Sequence, residues 1–227
     1  MITFGLISEG TTDQIILEDI LSGYFGEDEV NVNNLQPKTS KDKLGNWKIN
    51  TDKFGNWLNV LNYCESDSFR KAFQSNDYII IQIDTDVSEE QGYNISKLDE
   101  NGNLLSPEEL IVKVQEKLIN LIGHEFYTKY SEKIIFAISV HSIECWLLPL
   151  YYQDQRKSAI VNCSSKLAQE VNKKEKFYLD SKNKDSNVYG KISYKYTKRK
   201  TLLKYYPENP SFKIFIEELQ SKNISSN

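Results

Sequence analysis

Residues 78–83, Tyr-Ile-Ile-Ile-Gln-Ile, form a nearly unbroken apolar run that stops at Asp84-Thr85-Asp86. A strand with apolar side chains on both faces has to be covered on both faces, which is the situation of an inner strand in a parallel sheet flanked by helices. Ile134–Val140 has the same character, and Ile2–Ser8 supplies a further strand at the start of the chain. A short strand is expected near Val30–Leu35. Between these runs the apolar period changes from two to about 3.6. A helix is predicted from Thr12 to Gly23, with Ile16, Leu17, Ile20, Leu21 and Tyr24 on one stripe and Thr11 or Thr12 as N-cap. A second helix is predicted with Trp57, Leu58 and Leu61 on one face, continuing through Phe69–Phe73. Ser106-Pro107-Glu108-Glu109 opens a third, with a serine cap, proline in the first position and glutamate at the third. Gln36 to Lys53 reads as a polar loop, Val87–Leu105 as an excursion with a small hairpin at Asn101-Gly102, and Phe212–Leu219 as a last helix.

Strands alternating with amphipathic helices give an α/β fold: three layers, with a mostly parallel, Rossmann-like sheet between helices. Residues 1–150 form the expected core. Residues 151–227 form a basic, mainly helical extension packed on it, the whole being one structural domain. Charge divides along the same line. Residues 1–150 carry 12 Lys/Arg against 24 Asp/Glu, whereas residues 151–204 carry 14 against 5. An acidic half beside a basic segment suits a site holding cations in one place and a polyanion in another, although ordinary solvated surfaces account for it too. No run approaches the ~18–20 apolar residues of a membrane span, and the N-terminus reads as a strand and not as a signal peptide. Cys64, Cys145 and Cys163 are odd in number and widely spaced. They suggest neither a disulfide framework nor a zinc site, and a reduced, cytoplasmic setting is the simplest expectation.

The chemistry is expected where the strands end, because residues just beyond the carboxyl ends of parallel strands share a crevice. Glu9 follows the first strand, Asp84 and Asp86 the central one, and Glu144 the last. Crowded carboxylates repel one another, and a hard divalent cation such as Mg²⁺ or Mn²⁺ relieves that repulsion. In an extended segment, residues two apart project to one side, so Asp84 and Asp86 are expected to grip one ion or bridge a pair. Each group also has a plainer role: Glu9 at a helix entry, Asp84-Thr85-Asp86 as a turn, Asp13 in support of a first helical turn, and Glu144 as a local hydrogen-bonding partner. His141 is either a phosphate contact or proton shuttle, or a hydrogen-bonded structural histidine. Lys191 to Lys200 interleaves cations with tyrosines. It reads either as a nucleic-acid groove, with Lys195, Lys198, Arg199 and Lys200 contacting phosphates, or as a solvated face with its tyrosines packed inward.

Glu9-Gly10-Thr11-Thr12-Asp13 after a first strand, followed by Asp84-Thr85-Asp86 after a central one, resembles the TOPRIM fold of topoisomerases, primases and OLD-type bacterial nucleases. The stretch Ser139 to Leu148, with Glu144 before Cys145-Trp146-Leu147-Leu148, is similar to small stand-alone bacterial TOPRIM-like proteins associated with defence against phage. The resemblance spans roughly residues 1–145. It implies Mg²⁺ or Mn²⁺ on Asp84 and Asp86, Glu9 as ligand or general acid/base, Glu144 as a fourth ligand, and cleavage of DNA or RNA. It also implies work beside an ATPase or another defence-system subunit. No strand-passage tyrosine is assignable, which argues against a topoisomerase. Two rival functions remain at this stage. One is a catalytically inactive subunit that binds nucleic acid or a nucleotide. The other is a haloacid-dehalogenase-type phosphatase, whose Asp-x-Asp-x-Thr motif Asp84-Thr85-Asp86-Val87-Ser88 approaches.

Overall fold

A computed structural model describes residues 1–41, 47–49 and 56–224. Four strands, β1 (Ile2–Ile7), β2 (Val30–Gln36), β5 (Tyr78–Asp84) and β6 (Ile134–Ser139), form an all-parallel sheet in the order β2-β1-β5-β6. The two central strands and β6 carry the apolar runs and are buried almost throughout. The Asn-rich β2 occupies one edge and is only half-buried. Part of the polar loop expected after Gln36 is instead a small antiparallel pair, β3 (Thr39–Lys41) with β4 (Trp47–Ile49). The rest of that expectation lies outside the described residues.

Each face of the sheet is covered by its own apolar cluster. On one face α2 (Trp57–Glu65), α3 (Asp67–Ala72), α4 (Pro107–Ile122) and α5 (His124–Tyr130) pack through Val60, Phe69, Leu110, Val114 and Leu118 against Ile79, Ile81 and Phe136. The expected second helix is two helices, broken at Ser66, whose side chain caps α3. Leu61 is buried as expected, but Leu58, placed on the same apolar face by spacing, points to solvent at 44 % exposure, and Val60 and Cys64 are buried with Leu61. The capping box at Ser106 forms as predicted, as do the last strand and the turn at Gly102.

The other face is covered by α1 (Thr11–Phe25) together with the C-terminal helices α6 (Glu144–Leu147), α7 (Cys163–Lys174), α8 (Ser186–Ser193), α9 (Arg199–Tyr205) and α10 (Pro210–Ser221). The C-terminal segment therefore completes a layer of the fold. α10 also closes the free edge of β6: Phe136 N–H donates to Glu218 Oε1 at 3.1 Å and Val140 N–H to Ser211 Oγ at 3.2 Å. Unpaired strand edges invite pairing with other chains, and these bonds remove that opportunity. α1 begins a residue earlier than predicted. Its cap position is Gly10, with no side-chain cap, so Thr11 and Thr12 lie inside the first turn and do not cap it.

Residues 190–199 run alongside α1 in the same direction. Gly190 lies against Ile15, the Ser193 hydroxyl donates to Asp19, the Tyr196 backbone touches Gly23, and Arg199 donates to the Tyr24 carbonyl. At Gly23 an added Cβ would sit 1.8 Å from the Tyr196 carbonyl oxygen, a backbone atom that cannot swing aside. Gly23→Ala is accordingly expected to cost about 1–3 kcal/mol or more, read as a lower midpoint in urea unfolding; an unchanged midpoint would show that the two segments separate freely.

Cys145 and Cys163 form a disulfide with Cα atoms 4.9 Å apart, and Cys64 is a buried thiol. This corrects the expectation drawn from cysteine count and spacing. Two residues 18 apart meet only because α6 folds back onto α7, which no local signal announces. Disulfides persist mainly in oxidising compartments, so the cysteines give no support to a reduced setting. Among the described residues no helix is long and apolar enough to cross a membrane.

Candidate functional site

The strand order places one crevice above the sheet. From β1 the chain moves outward to β2, then returns to build β5 and β6 on the other side. Ligand crevices in parallel sheets open at such a reversal, beyond the carboxyl ends of the two strands that flank it. Those strands are β1 and β5, and Glu9 and Asp84 stand at their ends.

Short bonds tie the two together. Glu9 Oε1 accepts from the Asp84 N–H at 2.7 Å. Gln82, the single amide in the apolar run of β5, bridges them: its Oε1 accepts from Glu9 N–H at 3.1 Å and its Nε2 donates to Asp84 Oδ1 at 2.8 Å. The Ile143 N–H, from the turn after β6, donates to the same Asp84 oxygen at 3.1 Å. Tyr93, wholly buried and stacked on Trp57, donates its hydroxyl to the Asp84 carbonyl at 3.1 Å. The 87–105 excursion therefore folds back beneath the site.

Asp84 and Asp86 do not share one extended segment. The strand ends at Asp84 and the chain turns, leaving Asp84 buried and Asp86 exposed at the rim. The turn is clamped to the end of β6: Thr85 and Asp86 N–H groups both donate to the His141 carbonyl, at 2.9 and 3.0 Å, and Thr85 Oγ1 accepts from His141 N–H at 2.8 Å. His141 adopts φ 62° to do this, a left-handed conformation uncommon for a residue with a side chain. Its backbone role is structural, while its half-buried side chain feels the charges of Lys97 and Asp86. Burial, then Lys97, lower its pKa, which favours a neutral imidazole.

Glu144 occupies a buried position in the first turn of α6 and is already engaged. Its Oε1 accepts from Lys184 Nζ at 2.6 Å and from the Tyr189 hydroxyl at 3.0 Å. Lys184, from the 175–185 connection between α7 and α8, thus brings a cation into the crevice. Its charge also acts on Asp13 and Asp84. Asp13 is buried in the first turn of α1, and its Oδ1 has no hydrogen-bond partner.

Glu9, Asp13, Asp84 and Glu144 are thus linked electrostatically to one another and to the Lys184 ammonium, Asp86 acts on Glu9 from the rim, and a second ammonium, Lys97 Nζ, donates to the Asp86 carbonyl at 2.5 Å. Burial, with Asp13 adding, pushes the Glu9 carboxyl up to about 8 against the opposing Asp84 N–H. Burial also pushes Asp13 up to about 6, with Lys184 opposing. Burial followed by the charges of Glu9 and Asp13 holds Asp84 well above the carboxylate range. Glu144 behaves oppositely: burial works against its charge, but Lys184 and the hydrogen bonds from Lys184 and Ser142 hold its pKa below the ordinary value. Lys184 is correspondingly raised, burial being outweighed by Glu144, Asp13 and Asp84.

These directions set a pH dependence. Glu9 and Asp13 bind protons more tightly folded than unfolded, so the stability they contribute is complete below their ordinary values of 4.5 and 3.8. It is lost as pH rises through about 6 for Asp13 and about 8 for Glu9. Glu144 contributes in the other sense, its stability being lost only on acidification. The cation-free protein is expected to melt at progressively lower temperature from pH 4.5 to about 8, and a calorimetric series over that window checks it. A rising or flat profile would mean that the crevice carboxyls are solvated.

The basic residues expected at the site stand elsewhere. Lys195 pairs with Glu175 and lies over the Tyr151 ring. Arg199 donates to the Tyr24 carbonyl at the C-terminal end of α1 and lies over the Tyr24 ring. Lys198 and Lys200 are exposed beside it. Asp13 and Tyr24 are separated by roughly 16 Å along α1 at 1.5 Å per residue. Tyr196 is wholly buried and Tyr194 exposed. Gln82, Tyr93, Lys184 and Tyr189 belong to the site but were not singled out from sequence. Gln82 alone had a visible signal, an amide inside an apolar strand. Lys184 is one cation in a run of lysines. Family models, curated proteins and solved structures, compared with this chain, give no match, so the crevice is interpreted from its own geometry.

Proposed function

We propose that the crevice between β1 and β5 takes a divalent cation, Mg²⁺ or Mn²⁺, and uses it to hydrolyse phosphodiester bonds in DNA or RNA. The observation that carries this reading is the Glu9 carboxylate held by the Asp84 N–H at the switch point, in an acidic group that also includes Asp13, Asp86 and Glu144, with the Lys184 and Lys97 ammonium groups beside it. The donors are all hard oxygens, the chemistry these ions prefer. The buried, unpartnered Asp13 Oδ1 is an acceptor suited to such a partner. Among the described residues no three Asp, Glu, His or Cys side chains already form a metal-holding group. Binding would therefore have to draw Asp84, Asp86 and Glu9 together, with Asp13 close by. The arrangement of Glu9 after the first strand and Asp84 after an adjacent one supports the TOPRIM-like interpretation.

A bound ion of this kind orients a phosphate, activates water and stabilises the leaving oxygen. The chain's own residues prepare for it. Gln82 and the Ile143 N–H fix the Asp84 carboxylate from behind. The Asp84 N–H orients Glu9, whose raised pKa of about 8 lets it hold or accept a proton near neutrality. His141, whose lowered pKa favours the neutral imidazole, would serve as the proton relay. Lys198, Arg199 and Lys200, at the far end of α1, would meet a bound strand several phosphates away, so they would contribute to a polymer and not to a mononucleotide.

A second reading, nucleic-acid or nucleotide binding without turnover, is favoured by one feature. Lys184 already supplies a countercharge to the acidic group. Incubating the full chain with single- and double-stranded DNA and RNA in Mn²⁺ or Mg²⁺, beside E9Q and EDTA controls, separates the two. Cleavage abolished by both controls supports hydrolysis; binding to the same substrates without cleavage, unaffected by E9Q, selects the second reading.

A further inference from the structure

We propose that the free edge of β2 is a homodimer interface, at which two copies of this chain pair their β2 strands antiparallel and join their sheets. The proposal does not depend on what the crevice binds. The fold treats the two edges of its sheet differently. At β6, Glu218 and Ser211 from α10 occupy the N–H groups of Phe136 and Val140. Nothing comparable covers β2: among the described residues, its outward backbone groups meet no donor or acceptor.

The neighbouring strand fixes which groups face outward. Thr3 turns its backbone toward β5, accepting from the Asp77 N–H and donating to Asp77 Oδ2, both at 2.9 Å. Backbone direction alternates along a strand, so Phe4 and Leu6 turn toward β2. Ser8 does so too, its N–H donating to the Gln36 carbonyl at 2.8 Å. Phe4 lies opposite Val32 and Leu6 opposite Asn34. In a parallel ladder such a residue bonds to the two neighbours of the residue it faces, here Asn31, Asn33 and Leu35. The N–H and C=O groups of Val30, Val32 and Asn34 are left pointing away from the sheet.

Sheet edges are ordinarily blunted by charged side chains, proline or a bulge. Residues 30–34 carry none of these. They read Val-Asn-Val-Asn-Asn, the register shift comes after them at Leu6/Ile7, and Pro37 follows the strand. Charge stands at the two ends instead. Glu27, Asp28 and Glu29, all exposed, precede β2, and exposed Lys38 follows it. A two-fold axis through Val32 sets Val32 against its own counterpart and Val30 against Asn34, each pair exchanging both backbone bonds. The same operation lays the acidic end of each strand beside Lys38 of the other. Parallel pairing would set acid beside acid, so the charges select the antiparallel dimer, and a second copy of the chain is the partner this edge complements. Because the paired strands run in opposite directions, the two crevices open at opposite margins of the joined sheet.

Sedimentation velocity on the full chain, over a concentration series, tests this. The wild type is expected to be a dimer that dissociates on dilution, and more readily at high salt. K38E brings like charges together at both ends and is expected to weaken the dimer about 10-fold or more. E27K/D28K/K38E exchanges the signs and is expected to restore it. V32P removes an outward N–H and leaves the bonds to β1 in place, and proline is tolerated on edge strands. It is expected to be monomeric with its melting temperature little changed. Amide exchange at Val30, Val32 and Asn34 is expected to slow in the dimer. A wild type that stays monomeric at near-millimolar concentration would overturn the proposal and leave the edge to a strand from another protein. A dimer indifferent to both V32P and K38E would overturn it equally, by locating the interface elsewhere. Should V32P not fold, the loss in K38E and its rescue by the sign exchange decide.

Discussion

Asp84→Asn is expected to lower Mn²⁺ affinity, and any cleavage that depends on the ion, by more than about 100-fold. Loss of groups that merely orient metal ligands typically costs 10–100-fold, and Asp84 is a candidate ligand itself. The amide preserves the shape of the carboxyl and can still accept from Gln82 and from the Ile143 N–H, the two bonds that fix this side chain. Only the charge disappears. Because burial and the neighbouring Glu9 and Asp13 already hold Asp84 well above the carboxylate range, the neutral amide imitates the state preferred by the cation-free protein. The melting temperature is therefore expected to stay level or rise while metal binding is lost. That combination separates a binding residue from one that supports the fold. Unchanged Mn²⁺ affinity in this variant would rule Asp84 out as a ligand.

The largest stability effect is expected at Trp146. Its indole is wholly buried between Phe212 and Phe215, with ring centroids at 4.9 and 5.3 Å. Its Nε1 donates to Ser211 Oγ at 2.8 Å, and its carbonyl accepts from the Tyr196 hydroxyl. One residue thus joins α6 to α10 and to the segment that runs beside α1. Trp146→Ala should cost about 3–5 kcal/mol through lost burial and the cavity left behind. For a chain of this size that corresponds to a fall of roughly 6–20 °C in melting temperature, measurable by circular dichroism. Trp146→Phe should cost clearly less, since it keeps the stack and loses the Ser211 bond. Because Trp146 lies two residues from Glu144, the alanine variant should also loosen the Glu144–Lys184 pair. A melting temperature within a degree or two of wild type would mean that α10 is held to the sheet by other contacts.

Several elements were legible from sequence because their causes are local. The apolar runs at Tyr78–Ile83 and Ile134–Val140 required burial on both faces, and they became inner or covered strands of a parallel sheet. The cap, proline and glutamate at Ser106–Glu109 carry their own hydrogen bonds, so the start of α4 followed directly from four residues. Others failed where a neighbour distant in sequence decided. Spacing put Leu58 on one apolar face with Leu61, but only Leu61 is covered, and Val60 and Cys64 are buried beside it while Leu58 faces solvent. The Asp-x-Asp argument assumed an extended chain beyond Asp84. The bonds from Thr85 and Asp86 to the His141 carbonyl turned it instead.

By itself, then, the sequence determined the strands, their helical neighbours and the acids at the strand ends, because burial period and strand termination are properties of a few consecutive residues. The tertiary structure alone decided what those acids meet. Lys184 reaches Glu144 across 40 positions, Cys145 meets Cys163, and Arg199 is carried to the far end of α1, away from the crevice. Electrostatic partners are set by distance and burial in the folded chain, and a charge run such as 191–200 carries no information about which end of a helix it will reach.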